Sequence, residues 1–201
     1  MSSISRRLAL VKSLLTKLGA YQLHLRGHTS EHIFELYCYF LKAQELLKRG
    51  KTPIFQNILT RRSGNYFSAH AKPGKPGTGS YISFTDQTGE TLDLFLNCKF
   101  LGLSNVYHSP DIVLKASNNE QIVSIYECKN HSGNLELPVY REFMGYCEEM
   151  NLLVRGNRKQ RIRTVRNSYS ELRPCIYTSA VARKIHENLT KRYDFKVIDK
   201  L

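Results

Sequence analysis

Apolar residues recur every three or four positions near the start of the chain. Ile4, Leu8, Val11, Leu15 and Leu18 form one stripe, which predicts a helix over 4–18. A second helix is expected from about residue 30 to Arg49, stopped by Gly50. Thr29 and Ser30 are residue types that cap a helix start, and Glu31 suits the positive end of the helix dipole. The stripe of this helix is Ile33, Leu36, Tyr37, Phe40 and Leu47. Phe34 and Leu41 widen it, which marks the helix as central. Glu31 and Glu35, four apart, share the face away from the centre of that stripe.

Residues 61–80 are basic and rich in Gly and Pro, and read as a loop or a hairpin tip. The pattern then turns to strands: 81–85, a turn at 86–89, and 91–96. Further strands are expected at 110–116 and 121–129, joined by a turn at 117–120. Pro138 opens a helix over 138–152, as Pro favours the first turn. A polar basic stretch follows at 155–173, then a strand at 175–180, a helix at 181–192 and a short strand at 195–198. The order α-α-β-β-β-β-α-β-α-β predicts an α/β fold, a mixed sheet with helices on both faces.

At 201 residues the chain suits one domain, with 1–30 as a helical extension and 31–201 as its core. Thirty Lys and Arg against 17 Asp and Glu give a formal charge of +13. Such a field favours polyanionic partners, nucleic acid first and an anionic membrane surface second. No apolar run reaches the length of a membrane span; the best, Leu92 to Leu103, is broken by Asp93 and Lys99. The five cysteines, at 38, 98, 128, 147 and 175, show no metal or disulfide spacing. They are expected to be free thiols of a reducing, cytoplasmic setting. The basic N-terminal stripe resembles a transit peptide. An ordinary amphipathic helix packed on the domain is the simpler expectation.

Residues 108–130 carry the candidate chemistry. Alternation along the last strand turns Glu127 and Lys129 to one face, and Tyr126 and Cys128 to the other. A turn centred near 118–119 sets residue 111 about opposite 127. Asp111 and Glu127 are therefore expected side by side, with Lys129 one pleat further on. Adjacent carboxylates repel and raise each other's pKa, unless a divalent cation lies between them. An oxygen donor set with few carboxylates suits Mg²⁺, with Mn²⁺ as a substitute. The lysine is placed to help deprotonate a water there, or to stabilise charge developing on a phosphate.

At Pro110-Asp111 and Glu127-Cys128-Lys129 the chain resembles the PD-(D/E)xK phosphodiesterase superfamily, with the restriction-endonuclease-like fold. The resemblance covers roughly 31–180. It implies an αβββαβ core and a Mg-dependent endonuclease. Asp111, Glu127 and Lys129 would be catalytic, and Asp111, Glu127 and the Cys128 carbonyl would hold the metal. An acidic residue on the preceding helix would complete the site, Glu35 by preference and Glu31 in reserve. Residues 140–145, TyrArgGluPheMetGly, look like the segment beside the site in Mrr-like members, which makes Arg141 a candidate phosphate contact.

Residues 86–150 hold ten acids against four bases, whereas 155–173 hold seven bases and one acid. Arg158, Lys159, Arg161, Arg163 and Arg166 are thus candidate contacts to a nucleic-acid backbone. Arg61, Arg62, Lys72 and Lys75, with Tyr66 and Phe67, are a second candidate. Two other signals point elsewhere. The GlyLysProGlyThrGlySer run at 74–80 lacks the order of a phosphate loop, and Gly27 breaks any helix that would align His24, His28 and His32. His108 is expected to be structural. The resemblance, together with the basic charge, implies a nuclease acting on DNA in prokaryotic defence, restriction or repair, with a homodimer or a regulatory partner controlling it. The alternatives are an RNase or structure-specific nuclease on the same fold, a non-catalytic nucleic-acid-binding subunit, and a peripheral membrane protein.

Overall fold

The computed structural model describes residues 3–19, 22–24, 29–69, 72–118, 121–154, 163–164, 172–182 and 187–201. The elements run α1 (Ser3–Gly19), β1 (Gln22–His24), α2 (Ser30–Lys48), β2 (Thr52–Gln56), β3 (Leu59–Arg61), β4 (Gly64–Ser68), β5 (Tyr81–Thr85) and β6 (Thr91–Leu96). Then come β7 (Phe100–Leu101), β8 (Tyr107–His108), β9 (Ile112–Ala116), β10 (Ile122–Lys129), α3 (Leu137–Glu149), β11 (Leu153–Val154), β12 (Arg163–Thr164), β13 (Cys175–Thr178), α4 (Glu187–Tyr193) and β14 (Lys196–Ile198).

Seven strands form a mixed sheet in the order β14-β13-β10-β9-β6-β5-β2. Pairing is antiparallel from β2 through β10 and parallel from β10 through β13 to β14. Short turns join β5 to β6 and β9 to β10, longer links carrying the β3–β4 and β7–β8 hairpins join β2 to β5 and β6 to β9, and the α3 crossover separates β10 from its parallel neighbour β13. Six consecutive residues of β10, Val123 to Cys128, are buried, because the strand is covered on both faces. Tyr126 and Cys128 join the core under α1 and α2, while Ile125 joins the core under α3. The fold is thus mixed α/β, as expected, with helices on both faces of the sheet.

Helix α2 starts where its cap residues indicate. The Thr29 hydroxyl accepts the His32 amide at 3.5 Å, and the His32 imidazole accepts the Thr29 amide at 3.4 Å. Phe34, Leu36, Phe40 and Leu46 are buried from its length, each such side chain contributing about 1.5–3 kcal/mol. The Tyr39 hydroxyl donates to the Leu94 carbonyl at 2.8 Å and fixes the helix against β6. Helix α1 packs on α2 through Val11, Leu14, Leu15 and Leu18. Its Arg7 lies over the Phe34 ring at 4.6 Å and donates to Asn130 at 2.7 Å.

Several elements depart from the sequence pattern. The basic 61–80 stretch contains most of a hairpin, β3–β4, which pairs with β1 in a separate sheet. Phe67 is fully buried there and is a core residue, not a nucleic-acid contact. Strand β2 adds an edge to the main sheet. Helix α3 ends at Glu149, because Asn151 turns left-handed (φ 55°) and Leu152 folds back, its amide donating to the Cys147 carbonyl. Helix α4 is described from Glu187; of the residues expected at its start, Val181 bridges instead to the Gly133–Leu135 segment, and 183–186 lie outside the described residues. All five cysteines are buried free thiols. Among the described residues no helix is long and apolar enough to cross a membrane.

Candidate active site

Strand register builds the site. Leu96 pairs with Ile112 and Ile112 with Tyr126, so β6 ends, β9 starts and β10 ends at one rim of the sheet. One step beyond Ile112–Tyr126, Asp111 faces Glu127. A bulge at Val123 sets this phase, as pairing shifts by one residue between Ile122 and Ser124. Asp111 Oδ2 accepts the Cys128 amide at 2.7 Å, which locks the carboxylate across the two strands. Glu127 is 4% exposed. Its Oε2 meets Lys129 Nζ at 3.0 Å, whereas its Oε1 is buried with no hydrogen-bond partner. Asp111, Glu127 and Lys129 therefore come together as the sequence predicts.

The electrostatics follow from burial and like charge. Burial first, then Glu127 and Glu35, hold the Asp111 carboxyl well above the usual carboxylate range. Burial also raises Glu127, against the pull of Lys129. Burial disfavours the Lys129 ammonium, but Glu127, Asp111 and Glu142 outweigh it and keep the lysine charged above its ordinary range. Such a lysine is an electrostatic and hydrogen-bond-donating group rather than a base or a proton source.

Glu35 reaches the cluster from α2. Its Oε2 accepts Asn97 Nδ2 at 2.8 Å, and the Asn97 amide donates to the Asp111 carbonyl at 2.8 Å. Asn97 is therefore the bridge between helix and rim, and sequence reasoning missed it. Its signal is an Asn directly after an apolar strand, a residue type that tolerates the left-handed turn found here (φ 51°). Glu31 is exposed and accepts the Ser30 hydroxyl at 3.0 Å, outside the cluster. On α3 the residue that approaches Lys129 is Glu142, at 3.9 Å. Arg141 is exposed and pairs with none of these side chains. The Cys128 thiol is buried on the opposite face, so only its backbone belongs to the site. His108 is structural, 3.4 Å from Glu149 and edge-on to Tyr146.

Of the expected backbone contacts, Arg158, Lys159, Arg161 and Arg166 lie outside the described residues. Arg163 is placed only as part of β12, which pairs with β11. Arg173 pairs with Asp194 at 2.7 Å. Among the described residues no group of three or more His, Cys, Asp and Glu side chains is arranged to hold a metal ion. Glu35 is turned to Asn97, and the Lys129 ammonium lies against Glu127. The donor set nevertheless fits a hard divalent cation: two adjoining carboxylates of raised pKa, one with an unpartnered buried oxygen. Compared with protein-family models, curated proteins and solved structures, the chain gives no significant match.

Proposed function

We propose that the protein is a metal-dependent nuclease that hydrolyses phosphodiester bonds, with DNA as its substrate. One observation carries this reading: Asp111 and Glu127 are held side by side at a sheet rim, with Lys129 beside them and Glu127 Oε1 unpartnered. Stability alone does not favour two like charges in that position. The order α2, β6, β9, β10, α3, β13, with three antiparallel strands and one parallel, supports the resemblance to the restriction-endonuclease-like αβββαβ core.

Asp111 and Glu127 would hold Mg²⁺ or Mn²⁺, with the Cys128 carbonyl and Glu35 at its margin. Such an ion polarises a phosphate and makes a nearby water more acidic. Lys129, kept charged by the surrounding carboxylates, would stabilise negative charge growing on the phosphate oxygens and donate hydrogen bonds to them. Asn97 would position Glu35, and Glu142 would position Lys129. The net charge of +13 would bring the polyanion to the site. Target choice would come from loops, a second copy or a regulatory partner. The test is a Mg²⁺-dependent cleavage panel on duplex DNA, single strands and RNA. Wild type should cut duplex DNA, and Lys129→Ala should cut it about 10²–10³-fold more slowly. Equal cleavage by the two proteins, or none by wild type, would refute the proposal.

A further inference from the structure

The link between β6 and β9 leaves the same rim as Asp111 and carries the β7–β8 hairpin. Four of the nine exposed large apolar side chains among the described residues fall in its seven central positions: Leu101, Leu103, Val106 and Tyr107. Leu101 and Tyr107 are a cross-strand pair, and Leu103 and Val106 stand at the tip, 68% and 55% exposed. Exposed apolar groups gathered this way mark an interaction surface.

The hairpin is held rigidly. Its inner side packs through Phe100 on Phe95. The C-terminal end of α3 clamps its tip: Leu103 N donates to the Glu149 carbonyl at 2.9 Å, and Ser104 N and Oγ donate to Glu149 Oε2 at 3.0 and 2.7 Å. His108 closes on the same carboxylate, and Gly102 lies so near Glu149 and His108 that a Cβ there would meet them at 2.6–2.9 Å. Helix α3 thus carries Glu142 toward the candidate active site and Glu149 to the hairpin, seven residues apart on one face.

The surroundings indicate the partner. Backbone bonds from Gly74 to Asn97 and from Lys99 to Gly74 tie the 72–80 loop to the base of the hairpin. Lys72, Lys75 and Lys99 are exposed there and pair with no carboxylate among the described residues. Cations at the base of an apolar hairpin suit a polyanion that can be entered by apolar side chains. The exposed apolar surface of the hairpin is four side chains, well short of the roughly 20–30 residues per side of a stable protein complex. Val106 is five residues from Asp111, at most about 17 Å along extended chain, or about five base-pair rises.

Building on the nuclease reading, we propose that the β7–β8 hairpin is a wedge that inserts Leu103 and Val106 between stacked bases of duplex DNA at a fixed distance from the scissile phosphate. The lysines would hold the flanking backbone. The test is a duplex carrying 2-aminopurine within five base pairs of the cleavage position, bound in Ca²⁺. Wild type should raise its fluorescence about threefold or more on unstacking. The double variant Leu103→Ser/Val106→Ser should keep its circular dichroism and low-salt binding but lose that rise and at least tenfold in cleavage. An equal rise with the variant, or wild-type cleavage with no rise, overturns the wedge and leaves the nuclease reading standing. A variant that changes only the oligomeric state overturns it in favour of an interface between copies. A wild type that neither binds nor cuts nucleic acid overturns both readings.

Discussion

Two charged groups lie buried on opposite faces of β10, and they are treated differently. On the α2 face Lys42 is 3% exposed. Its Nζ pairs with Glu45 at 2.9 Å and lies 4.8 Å above the Tyr126 ring. Glu45 is itself half in water and also bound by Arg49 at 3.1 Å. On the α3 face Glu127, next along the strand from Tyr126, is as deeply buried. It faces the like charge of Asp111, and one of its oxygens has no partner. The first arrangement offsets its desolvation cost locally. The second offsets it only in part, through Lys129 at 3.0 Å, and a buried group left with a like charge and an unpartnered oxygen is a candidate for binding or catalysis.

The largest expected difference is in activity. Glu127→Ala should lower metal-dependent cleavage about 10²–10⁴-fold with little change in circular dichroism. Lys42→Met should leave kcat/KM within about twofold, since Lys42 lies on the other face. Steady-state cleavage of one duplex by both variants decides this, and the reverse ranking would break the comparison.

Stability should reverse the order. Lys42→Met leaves Glu45 able to turn to water and to Arg49, so its cost should be about 1–2 kcal/mol, below the full cost of breaking a buried pair. For a chain of this size that is a fall in Tm of about 2–8 °C by calorimetry. Asp111→Asn should instead stabilise by about 1 kcal/mol, because it removes the like-charge contact and keeps an acceptor for the Cys128 amide. The pH dependence has a definite sign. A carboxyl whose folded pKa is raised holds its proton more tightly in the native state than in the unfolded chain. Its stabilisation is therefore full in acid and is lost as pH climbs from the ordinary carboxylate range through the raised folded value. Wild type should lose stability over that window, and Asp111→Asn should lose less.

The sequence made the Asp111–Glu127 pairing legible to within one residue, because a turn of known centre fixes strand register and register fixes facing residues. Even the phase came out right, although the Val123 bulge that sets it leaves no mark in the apolar pattern. The main strands after residue 80 were equally clear, as alternation and turn residues agree there. Before residue 80 they conflict. Pro53 and the basic 61–80 stretch hide β2, β3 and β4, whose pairing depends on distant partners rather than local preference. On α3 the pattern separates the buried face, Tyr140, Phe143 and Cys147, from the rest. It does not say which polar neighbour meets β10, and so Arg141 stood out where Glu142 makes the approach. Asn97 was hidden for a related reason: Glu35 and the Asp111 carbonyl, the partners that tie it to the site, are distant in sequence.

The smallest effect separates the two faces most sharply. A divalent cation bound between Asp111 and Glu127 replaces their repulsion with attraction, and stabilises the native state in proportion to occupancy. At Mg²⁺ about twice its dissociation constant, which already includes the competition from Lys129 for Glu127, the gain is about 0.65 kcal/mol, or some 1–3 °C in Tm. The shift should persist in Lys42→Met, whose acidic site is intact, and vanish in Asp111→Asn. Calorimetric scans with and without Mg²⁺ on the three proteins read this without any cleavage assay. A shift that survives in Asp111→Asn would place the cation elsewhere, and the unpartnered oxygen of Glu127 would then need another explanation.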